Sequence, residues 1–262
     1  MSTGNVIVGT CGYGYYRPPE GWKERYDSKL QAFSHAFPAV ELNRTFYRLP
    51  MVRTARRWRR EVADDFVFTV KAWQALTHQT SSPTWRKHRD GLSERQKNQF
   101  GYLYPGEAVV DAWRETRKRA DALNAPVCLL QTPGSFGCTD EHEAHMRELL
   151  SGIKRDGIKL AWEPRGNWKQ RPERVKNICD DLDLIHVVDI MRREPVSAHP
   201  TAYVRLHGLN DDEYDYDYDY SADELKELAD RIDDLIETHE QVYCMFNNFQ
   251  MYDNARRLIE LL

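Results

Sequence analysis

Ile158-Lys159-Leu160-Ala161-Trp162 runs directly into Glu163-Pro164-Arg165, and the fold is read from that junction. A mostly apolar run of strand length ends in a carboxylate and a guanidinium two positions apart. Side chains two apart on a strand share a face, so Glu163 and Arg165 project together past the strand end. The same rhythm recurs along the chain. Val6-Ile7-Val8 leads to Thr10 and Cys11; Val40 and Leu42 flank Glu41 and precede Asn43; 66–70 leads to Lys71 and 127–130 to Gln131. Further on, 184–188 leads to Asp189, 203–206 carries Arg205 and leads to His207, and 242–246 leads to Asn247 and Asn248. Eight such runs with polar residues at one end describe an α/β fold, the parallel eight-stranded (β/α)₈ TIM barrel, with a site at its C-terminal mouth.

Working outward, helical periodicity fills the intervals 30–37, 54–62, 141–153, 172–182 and 223–237. Ser221 with Glu224 forms a capping box, and Thr139-Asp140 with Glu143 marks another helix start. A barrel of this class needs about 250 residues, so the 262 residues are expected to form one domain, 1–262. Residues 76–107 lack a clear strand and include Trp85-Arg86-Lys87-His88-Arg89. They read as an insertion after strand three, either a lid over the mouth or a shield for one side of the barrel.

The net charge of -4 offers no global attraction to nucleic acid or anionic lipid. Apolar runs fall far short of the roughly 18 residues of a membrane span, and the first residues lack a signal-peptide pattern, so a cytoplasmic protein is expected. Five cysteines, without a C-x-x-C pair, disfavour both a disulfide framework and a thiolate zinc site.

Three strand-end pairs carry the chemistry: Glu41 with Asn43, Glu163 with Arg165, and Arg205 with His207. Each pair alone fits a salt bridge closing the barrel top. A whole ring of desolvated charge is retained only where function requires it. Lys71 and the loop dipeptide Thr77-His78 add donors, so the mouth suits a phosphate or carboxylate. Glu163, Glu41 and Asp189 are candidate acids or bases, and His207 and His78 can carry protons. Beside Arg165, Glu163 should stay ionised.

Glu41, Glu163, Asp189 and His207 also have metal-ligand chemistry, but the neighbouring cations oppose a divalent ion; no metal and no cofactor is expected. His142-Glu143-Ala144-His145 has its histidines three apart and is not the H-E-x-x-H zinc pattern. Aromatic residues cluster at the expected mouth: Tyr13, Tyr15, Tyr16, Trp22, Phe46, Tyr47, Trp73, Phe136, Trp168 and Phe249. They suit either stacking on a ligand or capping of the barrel. The run 211–220 alternates Asp and Tyr and reads as an exposed acidic loop. If extended, it would separate acids from rings on opposite faces.

These segments resemble, in order, the YecE-like family, domain of unknown function seventy-two. The resemblance rests on Gly9-Thr10-Cys11-Gly12-Tyr13, Val40-Glu41-Leu42-Asn43-Arg44-Thr45-Phe46-Tyr47, Phe68-Thr69-Val70-Lys71, Thr77-His78, Gln131-Thr132-Pro133-Gly134, Glu163-Pro164-Arg165, Tyr203-Val204-Arg205-Leu206-His207-Gly208 and Phe246-Asn247-Asn248. It implies a TIM barrel whose matched polar residues line a pocket, without naming a reaction. Cys11, Tyr13, Arg44 and Phe249 depart from the family pattern, which bears on the substrate and not on the fold.

The reading that follows is a metal-independent barrel enzyme, a hydrolase, lyase or isomerase, acting on a small polar substrate with an anionic group. Glu163, Glu41 and His207 would move protons. Arg165, Arg205 and Lys71 would hold the anion, with Asn43, His78, Gln131, Asp189, Asn247, Asn248 and Tyr47 completing the substrate site. Two alternatives stand beside it. A nucleic-acid phosphodiesterase or repair-type nuclease would need a basic groove drawn from Arg53, Arg56, Arg57, Arg59, Arg86, Lys87 and Arg89. A non-catalytic module would bind a metabolite and return it unaltered.

Overall fold

The computed structural model describes residues 5–262. Eight parallel strands close into a barrel in sequence order: β1 (Asn5–Thr10), β2 (Ala39–Leu42), β3 (Val67–Lys71), β4 (Val127–Gln131), β5 (Lys159–Glu163), β6 (Leu184–Val188), β7 (Thr201–Leu206) and β8 (Gln241–Phe246). The helices are α1 (Trp22–Arg25), α2 (Lys29–Ser34), α3 (Arg44–Tyr47), α4 (Val52–Arg60), α5 (Glu94–Gln99), α6 (Glu107–Leu123), α7 (Asp140–Gly152), α8 (Pro172–Asp181), α9 (Ala222–Thr238) and α10 (Met251–Ile259). All eight apolar runs are strands, and the five periodic intervals are helices to within a few residues. Ser221 caps α9 through the expected box with Glu224, and the Thr139 side chain accepts from the His142 amide at the start of α7. No helix among the described residues is long and apolar enough to cross a membrane.

Strand alternation divides the core in two. Inward side chains, Ala39, Val127, Leu129, Ala161, Ile185, Val187, Tyr203, Tyr243 and Met245 with Cys11, fill the barrel, whereas outward ones such as Phe68, Trp162 and Phe246 pack beneath the helices. Gly9 shows why the inner packing is tight. A Cβ there would stand 2.6 Å from the Ala39 carbonyl oxygen and 2.9 Å from Met245 Sδ, so any larger residue would force neighbouring strands apart.

The β6–β7 connection departs from the repeat, because residues 189–200 contain no helix. Pro195 and Pro200 interrupt this stretch, and proline removes a helix donor and clashes with the preceding turn. The loop instead bonds back to the strand, with Ser197 Oγ accepting from the His186 amide at 3.0 Å and His186 Nδ1 accepting from the Val196 amide at 3.1 Å. A cavity opens on this flank.

Residues 76–107 fold back on their own base. Amides of Gly101, Tyr102 and Leu103 donate to the carbonyls of Ala75, Thr77 and Leu76. Trp85 stacks on Phe100 at 5.7 Å, both buried, and its indole donates to the His78 carbonyl at 3.0 Å. Burying such side chains contributes about 1.5–3 kcal/mol each.

Candidate active site

Arg205 stands at the centre of the mouth with no exposed surface. Its position on β7 sets it inward between Tyr203 and His207. Arg205 Nε donates to Glu41 Oε2 at 3.1 Å and Nη2 to Glu41 Oε1 at 2.8 Å, while Nη1 donates to Glu163 Oε2. One guanidinium therefore bridges two carboxylates from β2 and β5. The Tyr203 hydroxyl donates to Glu41 Oε2 at 2.8 Å and lies 2.8 Å from Thr69 Oγ1. Glu163 Oε1 accepts from Gln131 Nε2 at 2.6 Å and Arg165 Nε at 3.2 Å, and Gln131 Oε1 accepts from Lys71 Nζ at 2.8 Å. The chain Lys71–Gln131–Glu163–Arg205–Glu41 thus crosses the mouth from β3 through β4, β5 and β7 to β2.

These contacts set the protonation states. Burial works to raise the Glu163 carboxyl, but the charges of Arg205 and Arg165 outweigh it and hold the group well below the usual range. Burial, aided by Arg205, pulls the Lys71 amine down to about 7; the ammonium lies over the Phe46 ring at 4.4 Å. Burial raises Asp189 to about 6 despite its bonds from the His207 amide at 3.1 Å and the Met191 amide at 3.1 Å. His207 is lowered to about 3, mainly by burial, and is neutral at physiological pH. Arg205 Nη1 can only donate, so at 3.5 Å the imidazole Nε2 must accept and Nδ1 carries the proton. That Nδ1 is buried without a hydrogen-bond partner, 3.9 Å from Asp189 Oδ2.

A cavity of about 350 Å³ reaches this cluster, its walls including Glu163, Asp189, Arg205 and His207 together with Lys169, Arg193, Glu213 and Tyr214. The loop after β7 contributes the last two. Its alternation is realised in the fold: Asp211, Asp212, Asp215, Asp217 and Asp219 are exposed, whereas Tyr214, Tyr216 and Tyr218 are half-buried and Tyr220 is buried. The Arg165 guanidinium lies over the Tyr214 ring at 4.1 Å and donates to the Tyr216 hydroxyl at 3.3 Å. Glu213 accepts both terminal nitrogens of Arg193 at 2.7 Å and Lys169 Nζ at 2.6 Å. Burial would raise Glu213, but these bonds hold it at about 2. Gly208 makes the loop's entry turn at φ 111°, where a Cβ would meet Tyr218 Cβ at 2.4 Å.

Most sequence-predicted site residues meet here, with four differences. Glu41 has no exposed surface and, unlike Glu163 and Asp189, is not part of the cavity wall; its place is to hold Arg205. Asn248 Nδ2 bonds the Tyr218 carbonyl and Asn254 Oδ1, both at 2.7 Å, so it braces the loop and lies away from ligand. Tyr47 is 49% exposed and packs edge-on against Phe46 outside the cluster. The aromatics do not act as one ring: Tyr16, Phe46, Phe136 and Trp168 are core residues, as the capping alternative has it, with Trp168 also bordering the cavity, whereas Tyr15 and Phe249 are exposed. Asn43 Nδ2 donates to the Cys11 carbonyl at 3.1 Å and to Asn247 Oδ1 at 3.3 Å, which groups those two amides on the β1, β2 and β8 side. His78 shares a hydrogen bond with Thr77 Oγ1 at 2.8 Å, packs on Phe46, and is lowered to about 3 by burial and by Lys71.

Sequence reasoning missed Tyr203, Lys169, Arg193, Glu213, Tyr214 and Tyr216. Tyr203 was signalled by its place two residues before Arg205 on one strand face, and Glu213, Tyr214 and Tyr216 by the Tyr-Asp alternation. The four candidate metal ligands do not gather around one point, because Arg205 fills the space between Glu41 and Glu163. Among the described residues no three His, Cys, Asp or Glu side chains form a metal-binding group.

The chain is 24% identical over 284 residues to the UPF0759 protein YunF of Bacillus subtilis (strain 168), with 98% of this chain and 94% of that protein covered. Its fold is similar to that of a DUF72 family protein from Thermotoga maritima, with a TM-score of 0.73 at 24% identity and 98% of each chain covered. A second solved DUF72 protein, from Enterococcus faecalis, gives a TM-score of 0.72 at 19% identity, covering 100% of this chain and 98% of that one. A D-tagatose 3-epimerase-like protein is similar in fold at a TM-score of 0.59 and 14% identity, covering 97% of this chain and 96% of that one. The profile described as "Protein of unknown function DUF72" matches residues 7–262, and the chain belongs to that family.

Proposed function

We infer that this chain is an enzyme that performs metal-independent acid–base chemistry, as a hydrolase, lyase or isomerase, on a small polar substrate bearing a phosphate or carboxylate. The observation that carries this reading is the pairing of two carboxyls in one cavity with pKa values pushed apart, Glu163 far down and Asp189 up to about 6. Environments that separate two titratable groups in this way divide the roles of base and acid between them.

Glu163 is the ionised base, oriented by Arg205 and Gln131. Asp189 supplies or receives the second proton, and the unpartnered Nδ1–H of His207 donates to an oxygen of the substrate. Arg165 and Lys71 hold the anionic group. Lys71 serves as a donor in either protonation state. Arg205 already carries two carboxylates, so its part is electrostatic and positional rather than direct capture of the anion. The guanidinium in the gap between Glu41 and Glu163 supports chemistry without a metal, since it supplies the positive charge there. All five thiols are free, which fits a cytoplasmic setting.

Of the seven groove cations that the nucleic-acid alternative calls for, Arg59 turns inward to the carbonyls of Phe66, Val62 and Ala63 and Arg57 pairs with Glu61, while Arg53, Arg56, Arg86, Lys87 and Arg89 make no side-chain hydrogen bond or ion pair among the described residues.

The test is a thermal-stabilisation screen of phosphorylated sugars, uronates and short oligonucleotides, followed by a turnover assay on the compound that stabilises. Glu163→Gln is expected to keep binding and lose turnover. A stabilising compound recovered unaltered after long incubation would make the chain a binding module instead.

A further inference from the structure

A second hollow, of about 450 Å³, lies on the opposite side of the mouth from the first. It is walled by the loop after β1, the end of β2, residues 48–51 and α4. We propose that it is a ligand site for a molecule joining a flat aromatic ring to a phosphate, as in a nucleoside monophosphate, free or at the end of a strand. This inference goes beyond the acid–base reading of the barrel mouth and does not depend on it.

Three observations carry it. The walls are apolar and aromatic where a ring would lie, with half-buried Tyr13 and Trp58 from separate elements joined by Leu42, Leu49 and Pro50. The volume falls in the range of small-molecule sites. Next, the rim is positive at two points: Arg44 and Arg48 line the hollow, are exposed, and make no side-chain hydrogen bond or ion pair among the described residues, in a chain of net charge -4. Arg53, Arg56 and Arg60 on α4 are likewise exposed and unpaired but lie outside its walls. Unpaired guanidiniums on a concave surface are poised for bidentate contact with phosphate.

The third observation is an orphaned acceptor. Asn43 lines the hollow, its amide nitrogen is committed to Cys11 and Asn247, and its Oδ1 is buried without a partner. A buried acceptor left unsatisfied is costly, and an exocyclic amino group or ribose hydroxyl would complete it.

Calorimetric titration of the full chain at low salt tests the site with four probes: adenosine monophosphate, adenosine, inorganic phosphate, and an adenylate strand of about ten nucleotides. The nucleotide is expected to bind with a Kd of about 1 mM or tighter, and adenosine and phosphate at least about tenfold more weakly, because each satisfies half of the site. Arg44→Ala with Arg48→Ala should weaken the nucleotide at least about tenfold; both side chains are free of partners, so the fold is retained. A strand that binds more than about tenfold tighter than the mononucleotide identifies a strand end as the source, and equal binding identifies the free nucleotide. Tyr216→Phe, which removes a partner of Arg165 at the barrel mouth, should bind the nucleotide unchanged, and loss there would place the probe in the barrel mouth and overturn the proposal. Absence of binding by both nucleotide and strand, phosphate as tight as the nucleotide, or a double variant equal to the parent would overturn it too.

Discussion

Arg205→Met removes the guanidinium that joins Glu41 and Glu163 while keeping an unbranched, apolar stem in its place. Three charge-assisted hydrogen bonds disappear. Glu163 keeps Gln131 and Arg165, whereas Glu41, without exposed surface, keeps the Tyr203 hydroxyl and the Cys11 thiol and no cation. Breaking a buried ion pair from one side costs about 3–5 kcal/mol, because the remaining charge is stranded. Set against a total stability of about 5–15 kcal/mol, the variant should unfold about 6–20 °C lower than the parent, at about 2–4 °C per kcal/mol for a chain of this size. Urea unfolding followed by far-UV circular dichroism at pH 8 and at pH 5 measures the deficit.

The pH dependence has a definite sign. In the parent, Glu163 lies below its unfolded value of about 4.3, so its pairing stabilises above that pH and is lost as pH falls through the folded value. In the variant the stranded carboxylates are relieved by protonation, and the deficit, full at pH 8, shrinks toward pH 5. A loss under about 1 kcal/mol at pH 8, or one of equal size at both pH values, would refute the account of Arg205 as the keystone of the mouth. Adding Glu41→Gln to Arg205→Met should recover part of the loss, since the double variant no longer buries an unpaired charge.

The Lys71 ammonium, observed by NMR after reductive ¹³C-methylation, should titrate at about 7, well below the exposed lysines; a midpoint near 10 would remove its dual protonation from the mechanism. The Asp189 carboxyl should titrate at about 6. Because that value is raised, its contribution to stability is full below the unfolded pKa of about 3.9 and is lost as pH rises through 6, opposite in sign to Glu163. Gly208→Ala places a Cβ against Tyr218 at a positive φ, so it should destabilise by about 1–3 kcal/mol and speed limited proteolysis within 209–220; unchanged cleavage would show that the turn does not hold the loop. Tyr216→Phe removes the hydroxyl that accepts from Arg165 and should weaken binding of the anionic compound about three- to tenfold at unchanged thermal stability, which titration calorimetry reads directly.

Much of the site was legible because a strand's period of two fixes which side chains face the axis, and closure brings eight strand ends to one place. Glu163, Arg165, Arg205, His207, Lys71 and Gln131 met for that reason alone. What the pattern could not tell is which of them meet solvent. Glu41 and Glu163 occupy equivalent strand-end positions, yet one is sealed beneath Arg205 and the other borders a cavity, because that cavity opens only where the β6–β7 loop lacks a helix. Residues 211–220 give the same lesson, since their alternation was visible but the direction of the rings depended on Gly208, Asn248 and the edge of β8.

The sequence by itself determined the barrel, its strand order and the inward faces of the strands, since those follow from local periodicity and caps. Only the tertiary structure decided which charges neutralise one another, which groups stay ionised, and where space for a ligand remains. Pairing, desolvation and cavities arise between residues as far apart in the chain as Glu41 and Arg205, and no local pattern encodes the distance between them.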